Sequence, residues 1–294
     1  MTNNNQSSNP HTSEPKYRKK LNTEQLDVLE LLYRFRFASS KQIAVYQQKQ
    51  ASKAVSKRLK ILEDQGLISK RYDKSYKLRG RPAAYYLPPA GARTLETTTE
   101  RHPDEPINIK RIYKDKDVSE NFIEHCSNIL DVYLELGTLF PKKDTFTYAT
   151  NSKLNCEKYD FFPSPRPDAY IRINKTTKNE KHFFLDIFEV TQPYFILVRR
   201  IKKYLKYSED GDWSETDTDF PTILIACATA SVQKRLRKRI AKELQDSYEE
   251  ITFATTTIEA LKDMAETNGK IWLPIDEDGD DPDEPQKPVG LRDL

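Results

Sequence analysis

The segment predicted to form a helix over about Ser52–Gln65 constrains this chain most, because it divides apolar and cationic side chains between two faces. Apolar residues recur at i, i+4 and i+7 on one face: Val55, Leu59 and Leu62. Lysines recur at the same spacing on the other face: Lys53, Lys57 and Lys60. Such a helix packs one side against a core and presents the other, uniformly positive side to solvent or to a polyanion.

Two helices precede this segment and two strands follow it. One helix begins after Asn22 and another after Ser39, because each of these capping residues is followed by Gln three positions later. Gly66 is a typical helix stop. Two strand-like segments follow, Leu67–Tyr72 and Ala83–Leu87, and the basic turn Asp73–Pro82 joins them. This order predicts a winged helix-turn-helix domain over residues 21–96.

The charge of this first part points to nucleic acid. Between Lys16 and Arg81 the chain carries 18 Lys and Arg against 6 Asp and Glu. A winged helix places its third helix in the major groove and its hairpin tip in a neighbouring minor groove. We therefore expect these residues to face duplex DNA: Ser52, Lys53, Ser56, Lys57, Lys60, Lys77, Arg79 and Arg81. The alternative is a winged helix that docks another protein.

Several classes of protein are excluded by the sequence. The 8 glycines form neither a GxGxxG nor a GxxxxGK loop, and the 3 cysteines are too far apart for a CxxC zinc site. The longest apolar stretch, near Thr222–Ala230, is far shorter than the ~20 residues of a membrane span. The reduced cysteines and the polar N-terminus predict a cytoplasmic protein without a membrane partner.

The second part alternates helical and strand-like segments. A helix over about Asp117–Leu136 is followed by strands, a helix from Pro193, a buried strand at Thr222–Ala228, and a further helix, strand and helix. This order predicts an α/β (α+β) domain of the restriction-endonuclease-like type over residues 117–274. We expect residues 97–116 to be a linker, residues 1–20 a disordered basic tail, and residues 275–294 a disordered acidic tail.

Two aspartates are the candidates for catalysis in this domain. If Asn174–Glu180 is the turn of a hairpin, Ile173 pairs with Lys181 and Asp168 lies opposite Asp186. Opposed carboxylates repel unless a divalent cation bridges them or one becomes protonated, so the pair predicts a Mg²⁺ site. Glu124 on the preceding helix is the candidate third metal ligand.

Restriction-endonuclease-like folds carry a PD-(D/E)XK pattern, in which a Lys stands two residues after the second acid. In this chain Phe188 occupies that position after Asp186, so the expected cation is absent. Without a cation there, the attacking water lacks its usual activator. Arg200 and Lys203 on the following helix replace this charge or, in the interpretation we favour, line a phosphate track. A second basic group is interpreted as a solvated helix face, with DNA contact as the alternative: Lys234, Arg235, Arg237, Lys238, Arg239 and Lys242.

The chain resembles the bacterial replication-relaxation family, which is found with plasmids and other mobile elements. The resemblance rests on GRPAAYYL (80–87), on the helix His125–Leu136, on Arg166–Ile173 and on Leu185–Tyr204. In the family pattern, Asp186, Thr191, Arg200 and Tyr204 occupy the Glu, Thr, Lys and Tyr places, and Phe188 stands where the family has Asp. The resemblance implies a winged helix fused to a nuclease-like domain, with a role in replication, mobilisation or DNA relaxation.

The sequence therefore predicts a DNA-binding protein of a plasmid or other mobile element whose nuclease-like domain is catalytically degenerate. One alternative is an active Mg²⁺-dependent endonuclease or nickase that uses Asp168 and Asp186. A second alternative is a protein-docking adaptor. The expected partners are double-stranded DNA and replication or mobilisation proteins, and a homodimer is compatible with the winged-helix prediction.

Overall fold

The structure is a computed structural model that describes residues 20–49, 53–97, 107, 109–142, 145–174, 180–216, 218–247, 250–275 and 287–294. The predicted disordered tail 1–20 lies outside this part of the chain except for Lys20. No helix of the described residues is long and apolar enough to cross a membrane.

The first part contains helices and a small antiparallel sheet. Its elements are α1 (Thr23–Phe35), β1 (Phe37–Ser39), α2 (Ser40–Tyr46), α3 (Lys53–Asp64), β2 (Ser69–Arg71), α4 (Lys74–Leu78), β3 (Ala84–Tyr86) and α5 (Pro89–Glu96). The strand order is β1-β3-β2. Asn22 and Ser39 form the capping boxes that the sequence predicts at the starts of α1 and α2. The three helices and two later strands predicted for a winged helix are all present.

The predicted basic turn differs from the structure, because part of it is the short helix α4. The carboxylate of Asp73 accepts hydrogen bonds from the backbone N–H groups of Ser75 and Tyr76, which caps this helix. Tyr76 is buried, whereas Leu78 is 88% exposed. The capping carboxylate of Asp73 and the buried Tyr76 ring therefore make part of the predicted basic turn helical.

The second part is built on a six-stranded mixed sheet. Its elements, with α6 (Ile109–Ile112) preceding them, are α7 (Glu120–Leu139), β4 (Phe146–Thr150), α8 (Asn151–Leu154), β5 (Ala169–Ile173), β6 (Lys181–Phe188), α9 (Tyr194–Asp210), β7 (Thr222–Cys227), α10 (Ala230–Gln245), β8 (Phe253–Thr257), α11 (Ile258–Lys262) and β9 (Leu273–Ile275). The strands lie in the order β4-β5-β6-β7-β8-β9, with β6-β7-β8 parallel and the outer pairs antiparallel. The α/β fold class predicted from the sequence is confirmed.

The two faces of this sheet carry separate apolar clusters. Leu185 and Ile187 of β6 belong to the cluster that includes α7 and α11. Phe184 and Phe188, which alternate with them, belong to the cluster that includes α9 and α10. The period-2 alternation of strand side chains therefore places α7 and the whole first part on one face, and α9 and α10 on the other.

The first part packs directly on α7 and is not connected to the second part by a linker alone. The core cluster on the α7 side also contains the buried residues of α1, α2 and α3. The Gln42 amide of α2 donates to Ser127 and, over 2.7 Å, to the Asp131 carboxylate of α7. The Thr150 hydroxyl donates to the Arg34 carbonyl over 2.8 Å. Apolar burial and these polar contacts join the two predicted domains along one interface.

The predicted linker 97–116 is wrong over its last residues. Residues 98–106 and 108 lie outside the described residues, but α6 and a 3-10 turn at Asp115–Asp117 follow them. Ile112 is buried, and the Asp115 carboxylate is buried in an ion pair with Arg36. A buried apolar side chain and a paired charge anchor this segment. The sequence prediction failed here because a polar segment does not reveal that one of its charges pairs with Arg36, a residue far away in the sequence.

The predicted disordered tail 275–294 is wrong at both ends of its range. Ile275 belongs to β9, and Val289 forms a bridge with Trp272. Leu291 is buried, and the Lys181 ammonium donates to the backbone carbonyl of Leu294 over 2.7 Å. The acidic run 276–284 lies outside the described residues. A backbone bridge, a buried leucine and a lysine hydrogen bond therefore hold residues 287–294 against the second part.

Candidate functional site

The outward face of α3 is cationic, as its spacing predicts. Exposed polar residues share this face: Lys53, Ser56, Lys57 and Lys60. Val55, Leu59 and Leu62 are buried on the opposite face. Ser52, which was also predicted to face DNA, lies outside the described residues. The structure therefore brings the predicted lysines of this helix onto one solvent-facing surface.

Arg58 is the basic residue of α3 that does not join this surface. Its guanidinium is buried and pairs with the carboxylate of Glu24 and the side-chain oxygen of Gln47. Lys49 pairs with the other oxygen of Glu24. These contacts connect α3 to the start of α1 and the end of α2, so they fix the rotation of α3 about its own axis.

The two arginines of the predicted wing pair with acids of α7. Arg79 pairs with Glu120, and Arg81 lies 3.3 Å from both Glu120 and Glu124. Their side chains remain 54% and 39% exposed. In this state Arg79 and Arg81 face carboxylates of the same chain, and their contact with a minor groove stays a prediction. Lys77 is exposed, as predicted.

Glu124 does not lie with the two aspartates, so its prediction as a metal ligand is wrong. Its carboxylate is 53% exposed and faces Arg81. The neighbouring residue His125 points toward the sheet instead. Successive helix residues point about 100° apart, so only one of these two side chains can reach the aspartates.

The predicted hairpin register is confirmed. Ile173 pairs with Lys181 and Ala169 pairs with Leu185. Asp168, directly before β5, therefore comes opposite Asp186. Each carboxylate is nevertheless engaged by a different cationic side chain.

Asp186 is bound by Arg200 and Tyr204, both from α9. The guanidinium donates from Nε over 2.6 Å to Oδ2 and from Nη2 over 3.1 Å to Oδ1. The Tyr204 hydroxyl donates to Oδ2 over 2.7 Å. All three side chains are buried. Burial raises the pKa of Asp186, and the Arg200 charge opposes that rise. Arg200 is thus an internal counter-ion, and the prediction that it lines a phosphate track is wrong.

Asp168 belongs to a second cluster that the sequence analysis missed. His125 of α7 lies between two carboxylates, with Nε2 3.0 Å from Asp168 Oδ1 and Nδ1 2.7 Å from Glu189 Oε1. The other oxygen of Asp168 accepts the backbone N–H of Ile187 over 2.8 Å. Burial disfavours the imidazolium, but the two carboxylates outweigh it and raise the pKa of His125 to about 10.

One signal in the sequence indicates this second cluster. His125 and Asn128 are polar residues three positions apart on a helix whose neighbouring Ile129 and Val132 are buried. Asn128 is itself buried and donates toward Glu189 over 3.5 Å. Polar side chains in phase with a buried helix face require partners, but the identity of these partners depends on residues 43 and 64 positions away in the sequence.

These side chains do not fit the predicted Mg²⁺ site. Both Asp186 oxygens accept hydrogen bonds from Arg200, and both Asp168 oxygens are engaged by His125 and a backbone N–H. Within the described ranges, no three His, Cys, Asp or Glu side chains are placed to hold a metal ion. The two clusters provide carboxylates that are already neutralised by side-chain cations. Lys203, the other residue of the predicted phosphate track, is exposed and donates to the Ser164 carbonyl over 3.2 Å.

Comparisons with known proteins identify the family. None of the curated proteins matches this chain. Among solved structures, the restriction endonuclease FokI matches with 14% identity and a TM-score of 0.32, over 84% of this chain and 43% of that chain. FokI bound to DNA gives 13% identity and a TM-score of 0.30, over 84% and 44%.

This chain therefore spans less than half the length of those FokI chains. The replication-relaxation family model, in contrast, matches residues 29–223, which is more than half of the sequence. The chain belongs to the replication-relaxation family.

Proposed function

We propose that this protein binds duplex DNA through the outward face of α3 and acts in the replication, mobilisation or relaxation of a plasmid or other mobile element. The observation that carries this proposal is the exposed row of Lys53, Lys57 and Lys60, opposite a buried face that is apolar except for the paired Arg58. Phosphate contacts supply most of the affinity of such a surface.

The dimensions of α3 agree with this role. Its 12 residues form a rod about 18 Å long. The major groove of B-DNA is about 12 Å wide and admits an α-helix. Ser56 lies between the lysines on the exposed face, where a short hydroxyl is compatible with a base edge or a phosphate. The ion pair between Arg58 and Glu24 holds this face outward before DNA arrives, which reduces the ordering cost of binding.

We further propose that the six-stranded sheet acts as a scaffold and does not cleave DNA. Metal-dependent hydrolysis needs carboxylates that are available to a cation, which positions and activates water. In this chain Arg200 and His125 take the place of such a cation at Asp186 and Asp168. Removing these internal cations from buried carboxylates is costly, so the clusters favour structure over catalysis.

A binding titration tests the role of α3. The variant Lys53→Ala/Lys57→Ala/Lys60→Ala should bind a duplex on the order of 100-fold more weakly, at about 1 kcal/mol for each lost contact. The matched control replaces exposed lysines elsewhere by Ala, namely Lys114, Lys262 and Lys270, and should change the affinity less than about 3-fold. Equal weakening of both variants would show only a net-charge effect.

The same titration separates DNA binding from the adaptor alternative. The wild-type protein should bind duplex DNA at ~50 mM salt and lose orders of magnitude in affinity by ~200 mM. A wild-type protein that binds no duplex at ~50 mM salt would contradict the proposal and favour a protein-docking role.

A plasmid assay tests the scaffold role. We expect supercoiled plasmid to remain intact when incubated with the protein and Mg²⁺ or Mn²⁺. Nicking that disappears in both Asp168→Ala and Asp186→Ala would instead establish the endonuclease alternative. Nicking that persists in both variants would indicate a contaminating nuclease, to be removed by further purification and a repeat of the assay.

A further inference from the structure

A second cationic surface covers the outer side of α9 and α10, on the sheet face opposite α7 and the first part of the chain. We propose that this surface binds a second segment of duplex DNA, so that one copy of the protein bridges two duplexes. The inference rests on the proposed DNA binding by α3 and adds a second site with a different location.

The surface is formed by basic residues that two neighbouring helices expose. They are Arg199, Lys202, Lys203 and Lys206 of α9, with Lys234, Arg235, Lys238 and Lys242 of α10. The sequence has no acid between Tyr194 and Ser208, and none between Ala230 and Lys242. The structure thus brings two basic segments of the sequence onto one positive face, interrupted by Glu243 between the helices, which the sequence alone left as a solvated helix.

Not every basic residue of these helices contributes. Arg200 points inward to Asp186, and Arg237 is buried, donating to the carbonyls of Leu273 and Pro274 over 2.7 and 2.8 Å. Arg239 is partly buried and pairs with Glu243, which also pairs with the exposed Lys202 and so offsets part of the positive charge between the two helices. The remaining side chains alternate regularly with the buried Leu236, Ile240 and Leu244 of α10. The outward charge therefore follows from helix phase.

The two helices lie side by side and run in the same direction. The Arg235 guanidinium stacks 3.8 Å from the ring centre of Tyr194, near the start of both helices. Lys202 lies 3.6 Å from Glu243, farther along both. Packed helices are about 8–10 Å apart, and residues four apart on a helix are about 6 Å apart along its axis. Lys234, Lys238 and Lys242 therefore form one row, and the α9 lysines form a parallel row.

This surface cannot contact the same straight duplex as α3. The first part packs on α7, so α3 lies on the α7 side of the sheet. The α9 and α10 surface lies beyond the sheet, which separates the two positive faces by at least one strand layer and the helices on both of its sides. Two positive faces on different sides of the sheet therefore fit two segments of DNA better than one straight duplex.

The chemistry of the surface favours nucleic acid over a lipid membrane. Among the described residues, α10 exposes none of the large apolar side chains, and α9 exposes only Phe195, near its start. A helix that inserts into a membrane interface needs a broad apolar face toward the lipid. Long DNA held at α3 also presents its own distant segments at a high local concentration, which favours a second weak contact.

A two-duplex capture assay tests the proposal. A biotinylated duplex is immobilised, the protein is added at ~50 mM salt, and retention of a second, fluorescent duplex is measured. The test variant is Lys206→Ala/Lys238→Ala/Lys242→Ala, and the charge-matched control is Lys114→Ala/Lys262→Ala/Lys270→Ala. We expect the test variant to lose capture at least 10-fold while its affinity for a single duplex changes less than 3-fold. The control should retain both activities.

Capture that persists in the test variant would overturn the proposal, because bridging would then come from paired copies of the protein. A test variant that binds a single duplex as poorly as the α3 variant would also overturn it, since both surfaces would then serve one duplex. Intact single-duplex binding without any capture by the wild type would refute bridging and leave the proposed function standing. Absence of all DNA binding would refute the proposed function itself.

Discussion

Two regions of this molecule use basic side chains in opposite ways. On α3, Lys53, Lys57 and Lys60 point to solvent from a helix whose other face is apolar. Beside the sheet, Arg200 points inward and pairs with one carboxylate, and His125 lies between two. In the first arrangement the positive charge is available to an external polyanion, whereas in the second it is neutralised by carboxylates of the same chain. The difference shows that helix phase, more than local charge density, decides what a cation does.

The largest effect should come from removing the buried cation at Asp186. Arg200→Met leaves that carboxylate buried without a counter-ion, which should lower the free energy of unfolding by roughly 3–5 kcal/mol. Urea denaturation at pH 7 measures the loss. The double variant Asp186→Leu/Arg200→Met removes both charges and should recover most of it. A single variant within 1 kcal/mol of the wild type would show that the ion pair contributes little.

His125 should produce a smaller, pH-dependent effect. Its folded-state pKa of about 10 lies above the usual value of 6.5, so its stabilising contribution is full below about pH 6.5. That contribution is lost as the pH rises through 10. The free energy of unfolding should therefore fall by about 2–4 kcal/mol between pH 7 and pH 10. Urea titrations at pH 6, 7, 8, 9 and 10 measure this decline.

The matched variant for this experiment is His125→Gln, which keeps polar contacts but has no charge to lose. Its stability should be lower at pH 7 and should change much less than that of the wild type between pH 7 and pH 10. Other groups that titrate near pH 10 affect both proteins equally, so the difference between the two curves isolates His125. Parallel curves would contradict a charged His125 between Asp168 and Glu189.

The smallest effect concerns the arginines of the predicted wing. They are more exposed than the buried Arg200, but unlike the α3 lysines they pair with carboxylates of the same chain. Arg79 and Arg81 are partly exposed but face Glu120 and Glu124. Glu120→Gln/Glu124→Gln should release these arginines and raise the affinity for duplex DNA about 3- to 10-fold at low salt, since exposed ion pairs are worth ~1 kcal/mol or less. Fluorescence anisotropy measures the change. An unchanged or lower affinity would indicate that the wing does not contact DNA.

Local sequence patterns predicted much of the fold, because capping, hairpin turns and helix periodicity depend on residues that are close together in the sequence. The capping residues Asn22 and Ser39 marked two helix starts, since their partners lie only three residues away. The hairpin register followed from a single polar turn that aligns Ile173 with Lys181. The lysine face of α3 followed from helix periodicity alone. In each case the interaction that fixes the structure lies within a few residues of the pattern.

The candidate site was harder to predict because its partners are distant in sequence. Arg200 is in helical phase with the buried Leu197 and Tyr204, a signal that it points inward. That phase does not reveal that its partner is Asp186 on β6. The same holds for Arg58, which is in phase with the buried Val55 and Leu62. Its phase predicts burial but does not reveal that its partner is Glu24 of another helix. Buried charges are placed by tertiary contacts that periodicity does not specify.

The contrast between outward and inward cations is tested by the salt dependence of DNA binding. The dissociation constant of the wild type and of Lys53→Ala/Lys57→Ala/Lys60→Ala is measured from ~50 to ~200 mM salt. Each phosphate contact contributes about 0.9 to the slope of log Kd against log salt, so the variant should lose about 2–3 from the wild-type slope. Identical slopes for the two proteins would show that the α3 lysines do not contact phosphates and would contradict the proposed interface.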